Sequence, residues 1–154
     1  VSPRNEFPKR PVPAVGTIVF RDGAVLLVKR GAEPNKGLWS FPGGALETGE
    51  TVEAAAVRET LEETRVDVRP VRVLDVRDFI QFEGKKVRWH YVLIDILCEY
   101  VRGDPFPATD AETARFIPLR EVGEHDVAPT ALEVLRVVSA TRVANGEEIG
   151  PQSP

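Results

Sequence analysis

Cys98 is the only cysteine in this chain of 154 residues, so no disulfide can form within it. It sits in an apolar run, and a buried thiol in a reducing compartment is the expectation. Long apolar runs are missing as well. None approaches the roughly 20 residues that a membrane-spanning helix needs, and the N-terminus lacks the apolar core of a signal peptide. The chain therefore reads as soluble and cytoplasmic, with no membrane partner. Nor is there a run of Lys and Arg interleaved with aromatics: 20 Lys and Arg stand against 24 Asp and Glu, a net charge of −4. That excludes an extended nucleic-acid surface and means that an anionic substrate would need metal to mediate its contact. Internal repeats and low-complexity segments are absent too. With 42% hydrophobic content, the length suits one domain with a real core and is too short for two.

What is present concentrates in Gly43 to Val66, GGALETGETVEAAAVRETLEETRV. Its Ala, Leu, Val and Glu favour a helix from about Thr51 to Thr64, with Thr51 as N-cap and Glu53 in the first turn. At about 100° per residue, Glu59, Glu62 and Glu63 share one face of that helix. Three like charges on one face repel unless a cation sits among them. A hard divalent ion such as Mg²⁺ or Mn²⁺ suits carboxylate and carbonyl oxygens, and the glycines upstream let the backbone turn and offer a carbonyl. Arg58 is expected to pair with Glu50 or a neighbouring glutamate and to hold the carboxylates in position. The bland alternative, a solvated charged helix face, would also have to explain Phe41-Pro42-Gly43-Gly44, Glu50 and Arg58 falling in register with it.

Around this stretch the chain reads as strands. Residues 1–12 hold three prolines and little periodicity, giving an extended arm. Val15 to Phe20 and Ala24 to Arg30 flank Asp22-Gly23, a hairpin signal. That hairpin brings Lys29 and Arg30 to a strand end, where Arg30 is a candidate phosphate contact. Trp39 and Phe41 read as core or wall residues. Val66 to Val76 alternates as a half-exposed strand, Gln81 to Lys85 supplies a turn, and Val87 to Tyr100 returns, nearly continuously apolar from Tyr91 to Leu97. Arg88 and His90 at its start are candidate substrate contacts. The loop GDPFPATDAE, Gly103 to Glu112, offers Asp110 and Glu112 as groups that could orient or deprotonate an attacking water. A short strand at Phe116 to Leu119 and a helical turn at Leu119 to Val122 come next. A helix from Pro129 to about Val143, apolar at Ala131, Leu132, Leu135 and Val138, completes an α+β or three-layer arrangement.

The spacing Gly44, five residues, Glu50, seven residues, Arg58-Glu59, two residues, Glu62-Glu63, two residues, Val66 resembles the Nudix box. The flanking segments, Leu-Trp-Ser-Phe-Pro-Gly-Gly, His-Tyr-Val-Leu-Ile-Asp and Phe-Ile-Pro-Leu-Arg-Glu-Val, resemble small ADP-ribose pyrophosphatase-like members of that family. Two positions depart from the pattern: Thr60 stands where an apolar residue is usual, and Arg65 where a glycine ends the helix in a left-handed conformation. Either Arg65 absorbs roughly 1 kcal/mol of strain, or the helix ends differently.

The resemblance implies an α/β/α sandwich with a mixed sheet, the domain covering 13–145 between the arm and a tail at 146–154. It implies Mg²⁺, with Mn²⁺ able to substitute, held by the Gly43 carbonyl with Glu59 and Glu63, and Glu62 for a further ion. Glu59 and Glu112 both stand open as general base. The implied reaction is hydrolysis of a nucleoside diphosphate linked to another moiety, ADP-ribose giving AMP and ribose 5-phosphate. A MutT-type triphosphate pyrophosphohydrolase is a second reading. A non-catalytic nucleotide sensor is a third, though sensors usually lose box carboxylates that this chain keeps. A homodimer, with the N-terminal arm exchanged, is compatible with the resemblance.

Overall fold

Asp22 and Gly23 both take positive φ, 50° and 74°, and this tight turn joins β1 (Val12–Arg21) to β2 (Ala24–Arg30). The computed structural model describes residues 5–106 and 111–144, and side chains only as far as Thr141. Within those bounds the chain continues through β3 (Trp39–Ser40), β4 (Gly43–Ala45), α1 (Val52–Thr64), β5 (Asp67–Glu83), β6 (Lys86–Arg102) and β7 (Ala111–Pro118). A 3₁₀ helix (Leu119–Glu124) and α2 (Pro129–Ala144) follow. The seven strands form one sheet ordered β3-β2-β1-β6-β5, with β4 also on β1 and β7 also on β2. β1 and β6 run parallel while the other pairs are antiparallel, so the sheet is mixed.

Alternation along the strands divides the core between two faces. Ile18, Val25 and Leu27 pack with Ala131, Val134, Leu135 and Val138 of α2, while Val19 and Leu26, one residue away on each strand, pack with Ala55 and Ala56 of α1. Burying each Leu, Ile or Val stabilises by about 1.5–3 kcal/mol, enough to hold a helix on each side of the sheet. Three layers of helix, sheet and helix result. Cys98 lies in the α1-side core, where burial pushes its thiol up to about 12 and leaves it inert. Among the described residues no helix is long and apolar enough to cross a membrane.

α1 begins where the sequence signals it: the Thr51 hydroxyl accepts from the Ala54 N–H at 3.1 Å. Its buried face is made of small side chains, Ala55, Ala56, Thr60 and Thr64. There the Thr60 and Thr17 hydroxyls lie 2.8 Å apart, hydrogen-bonded to each other across the helix–sheet interface. Arg65 itself takes the left-handed conformation, φ 65° and ψ 17°, and its N–H donates to the Leu61 carbonyl at 2.9 Å. Of the two ways the helix could end, the chain uses the strained one.

Two expectations are corrected. The short strand expected from Phe116 begins at Ala111, paired with Arg30 of β2, so Glu112 lies on β7 and not in the loop. The strand expected to stop near Val76 runs on to Glu83, because β6 pairs with it over its whole length down to Glu83↔Lys86, closed by Gly84 at φ 59°. Bulges between Val73 and Asp75 and between Gln81 and Phe82 absorb the register shifts that broke the sequence periodicity. Of the N-terminal arm, the Phe7 N–H donates to the Arg88 carbonyl at 2.8 Å. Asp110 and the Asn145-Gly146 stop lie outside the described residues.

Candidate functional site

The β4 glycines are demanded by close approach. A Cβ on Gly43 would fall 1.9 Å from the Val15 carbonyl oxygen, and one on Gly44 would fall 2.6 Å from the Glu59 carboxylate. Glu59 thus lies against the glycine backbone, and the Gly43 N–H donates to Glu63 Oε2 at 3.3 Å. α1 and β4 bring two carboxylates and a peptide backbone to one place.

Arg58 organises the remaining acids. Its Nε and Nη2 grip both oxygens of Glu50 at 2.6 and 2.8 Å, and Nη1 reaches Glu59 at 2.8 Å and Glu62 at 3.2 Å. Such a planar fork fixes orientation as well as charge. The bond from Arg58 holds the Glu50 carboxyl down to about 2. Glu59 is raised by burial against the pull of Arg58. Glu63, which Arg58 does not reach, is pushed up to about 8 by burial and then by the charge of Glu59, with the Gly43 N–H and Arg30 opposing. Two close carboxylates, of which Arg58 reaches only Glu59, repel each other when both are ionised. A hard cation would settle it. Among the described residues no three Asp, Glu, His or Cys side chains converge closely enough to hold an ion by themselves. The donors on offer are therefore Glu59, Glu63 and glycine backbone, all oxygen, with Glu62 half-exposed beside them.

A cleft opens along the glycine edge, lined by Gly43, Gly44, Arg30, Phe41, Tyr91 and Asp95 among others. Arg30 reaches it from the end of β2, with its Nε donating to the Pro34 carbonyl at 2.7 Å. The other sequence candidates stand elsewhere. Arg88 is held by Glu6 at 2.8 Å and Glu83 at 3.8 Å and lies over Trp89, and neither it nor His90 lines the cleft. Glu112 is exposed on β7, between the residues paired with Lys29 and Arg30, also outside the cleft lining. Trp39 is a core residue, buried on the α2 side, edge-on to His125 at 5.6 Å with Arg115 over its ring. Sequence reading did not put Tyr91 or Asp95 among the site residues. Their signal was present as parity: 91, 93 and 95 share one strand face, which a continuously apolar reading of Tyr91 to Leu97 conceals.

The NUDIX domain model matches residues 10–138. The ADP-ribose pyrophosphatase of Methanocaldococcus jannaschii is 35% identical over 112 residues, which cover 73% of this chain and 64% of that protein. The chain thus spans less than two thirds of that relative. A NUDIX hydrolase from Nitrosomonas europaea superposes with a TM-score of 0.74 at 21% identity, over 86% of this chain and 90% of that one, a likeness of fold. A MutT NUDIX hydrolase from Burkholderia pseudomallei superposes with a TM-score of 0.71 at 26% identity, over 83% and 98%. A family match that takes in β1 to α2, on the same mixed sheet, and an Arg58-bound set of glutamates against a glycine pair agree on one answer: the chain belongs to the Nudix hydrolase family.

Proposed function

We propose that the protein hydrolyses the pyrophosphate bond of a nucleoside diphosphate joined to another moiety, with ADP-ribose as substrate and AMP and ribose 5-phosphate as products. The observation that carries this reading is Glu63, left unreached by Arg58 beside Glu59 at the glycine pair. Glu59, Glu63 and the Gly43 carbonyl would hold Mg²⁺, or Mn²⁺ in its place, and Glu62 would serve a further ion. When bound, such an ion neutralises the diphosphate and lowers the pKa of a water. The chain supplies the rest. Arg58 keeps Glu59 and Glu62 in place, Glu50 keeps Arg58 in place, and Arg30 meets phosphate at the cleft mouth. Glu59 accepts the proton of the attacking water in this reading, since its carboxylate lies against Gly44 at the cleft edge whereas Glu112 is exposed on β7.

The relative from Methanocaldococcus jannaschii supports the substrate, and the MutT name of the Burkholderia pseudomallei structure supports a triphosphate as the second reading. Turnover of ADP-ribose and of a panel of nucleoside triphosphates, in Mg²⁺ and in Mn²⁺, separates them. ADP-ribose is expected to be cleaved with the higher kcat/KM. A preference for triphosphates would promote the second reading, and cleavage of nothing would sink both and leave a sensor. The proposed compartment is the cytoplasm, which suits the buried thiol of Cys98. A homodimer is proposed on the exposed apolar side chains of the edge strand β5, Val76, Ile80 and Phe82, and sedimentation at micromolar concentration tests it.

A further inference from the structure

Two polar groups of the cleft are buried and thinly partnered among the described residues, and one of them, the Tyr91 hydroxyl, has no hydrogen bond there at all. The Asp95 carboxylate is 5% exposed and makes no hydrogen bond to any described residue. Among the described residues its one ionic contact is Arg77 at 3.8 Å, and Arg77 is engaged more closely by Asp75 at 2.5 Å and Glu133 at 2.8 Å. Tyr91 is 2% exposed and its hydroxyl has no hydrogen-bond partner among the described residues. The Asn5 side chain acts on the ionisation of Tyr91 without reaching ordinary hydrogen-bond geometry. Buried acceptors and donors are nearly always paired, and leaving one bare costs more than a typical hydrogen bond returns. Both groups belong to the cleft lining, four residues apart on one face of β6, about 13 Å along the strand. Phe79 stands beside Tyr91 with ring centroids 6.5 Å apart, giving the same wall an apolar surface. The backbone opposite has been cut back to make room. A Cβ on Gly16 would fall 2.5 Å from Asp95 Oδ1.

We infer that Asp95, with Tyr91, is the recognition wall of this cleft, accepting hydrogen bonds from the nucleoside part of the ligand, either its sugar hydroxyls or an exocyclic base amine. The inference rests on the nucleotide hydrolase reading and adds to it a residue that selects the ligand. Burial pushes Asp95 up to about 6, with Arg77 opposing and Asp75 reinforcing, so a donor from the ligand would stabilise the charged form that burial disfavours. A purely structural role is the competing explanation. It predicts lost stability without discrimination among ligands.

The test is calorimetric binding of AMP, IMP and 2′-deoxy-AMP, with kcat and KM for ADP-ribose alongside, in wild type, Asp95→Asn and Tyr91→Phe. Asp95→Asn is expected to weaken AMP by about tenfold or more, and to raise KM in step while kcat stays within about threefold. The loss should vanish for IMP if the amine is the donor, or for 2′-deoxy-AMP if the hydroxyl is. Tyr91→Phe should cost about threefold to tenfold. Gly16→Ala provides a second route, because its methyl displaces the Asp95 carboxylate without removing it, and it should mimic Asp95→Asn even if that variant fails to fold. Equal AMP affinity in wild type and variants, an equal loss for all three nucleotides, or no AMP binding by wild type would each overturn the inference. If ADP-ribose is cleaved and Asp95→Asn matches wild type, this inference fails and the hydrolase reading stands. If AMP binds with the expected discrimination and no substrate is cleaved, the reverse holds.

Discussion

Two arginines, one in α1 and one in β5, each gather carboxylates, and each leaves one acid short. Arg58 binds Glu50, Glu59 and Glu62 within 3.2 Å and does not reach Glu63. Arg77 binds Asp75 and Glu133 within 2.8 Å and stands 3.8 Å from Asp95. The acid left short is in both cases the one whose carboxyl is pushed furthest up, to about 8 for Glu63 and about 6 for Asp95. The difference lies in what each faces. Glu63 sits beside a second carboxylate and a glycine backbone, an arrangement that asks for a cation. Asp95 sits across from Gly16 in a cleft whose lining also includes Phe41, Phe79 and Tyr91, an arrangement that asks for a neutral donor. On the proposed reading, similar ion-pair chemistry at two places in the chain would serve a metal end and a nucleoside end of one site.

The contrast is sharpest in the leftover acids. Glu63→Gln should lower kcat by about a thousandfold or more while circular dichroism shows a folded protein, since it removes a candidate ligand rather than a core group. Retained turnover would end the parallel at once. Next come the arginines. Arg58→Lys, which cannot reproduce the fork, should cost about 10–100-fold in kcat, whereas Arg77→Lys should act mainly on KM. Equal kcat losses in steady-state assays would mean that the two clusters do the same work.

Protonation separates them further. Glu63 has a folded value of about 8 against an ordinary 4.5, so between these limits the metal-free folded protein binds the extra proton. Stability of the metal-free protein should therefore fall as pH rises from about 4.5 to about 8, and Glu63→Gln should flatten that slope in thermal melts. Mg²⁺ must displace the same proton, so its affinity should weaken by about tenfold for each pH unit below 8, measurable by calorimetry in buffers of different ionisation enthalpy. The smallest effect belongs to neither cluster. Arg65→Gly should raise stability by about 1 kcal/mol in denaturant melts, by relieving a left-handed arginine, with kcat unchanged.

The two clusters also differ in how far the sequence announces them. Glu50, Arg58, Glu59, Glu62 and Glu63 fall within one loop and one helix, where 3.6-residue periodicity converts spacing directly into a shared face. The Thr51 cap, the Asp22-Gly23 turn and the Pro129 helix start are equally local, and each appears where chain chemistry puts it. Asp75, Asp95 and Glu133 come from three elements, and their meeting depends on the β5–β6 register. Because the bulge between Val73 and Asp75 shifts that register, alternation cannot be followed through it by counting. Arg88 and His90 show the converse. They are residues of the right chemistry at a strand end, but Glu6 and Glu83 hold Arg88, and His90 faces Ile80 in the strand pair, outside the cleft lining. The sequence had no means of reporting Glu6 as a partner across 82 residues.

The Thr17–Thr60 hydroxyl pair bears on aim. A smooth apolar contact between helix and sheet resists separation but only weakly resists rotation of the helix about its own axis. A carboxylate carried about 6 Å from the axis of α1 moves by about 1 Å for every 10° of such rotation. Misplacement on that scale is worth about two orders of magnitude in rate. A directional bond of 2.8 Å at the buried face acts as a detent on that angle. Thr60, the position where this chain parts from the usual apolar residue, supplies a torsional lock that a methyl group alone could not.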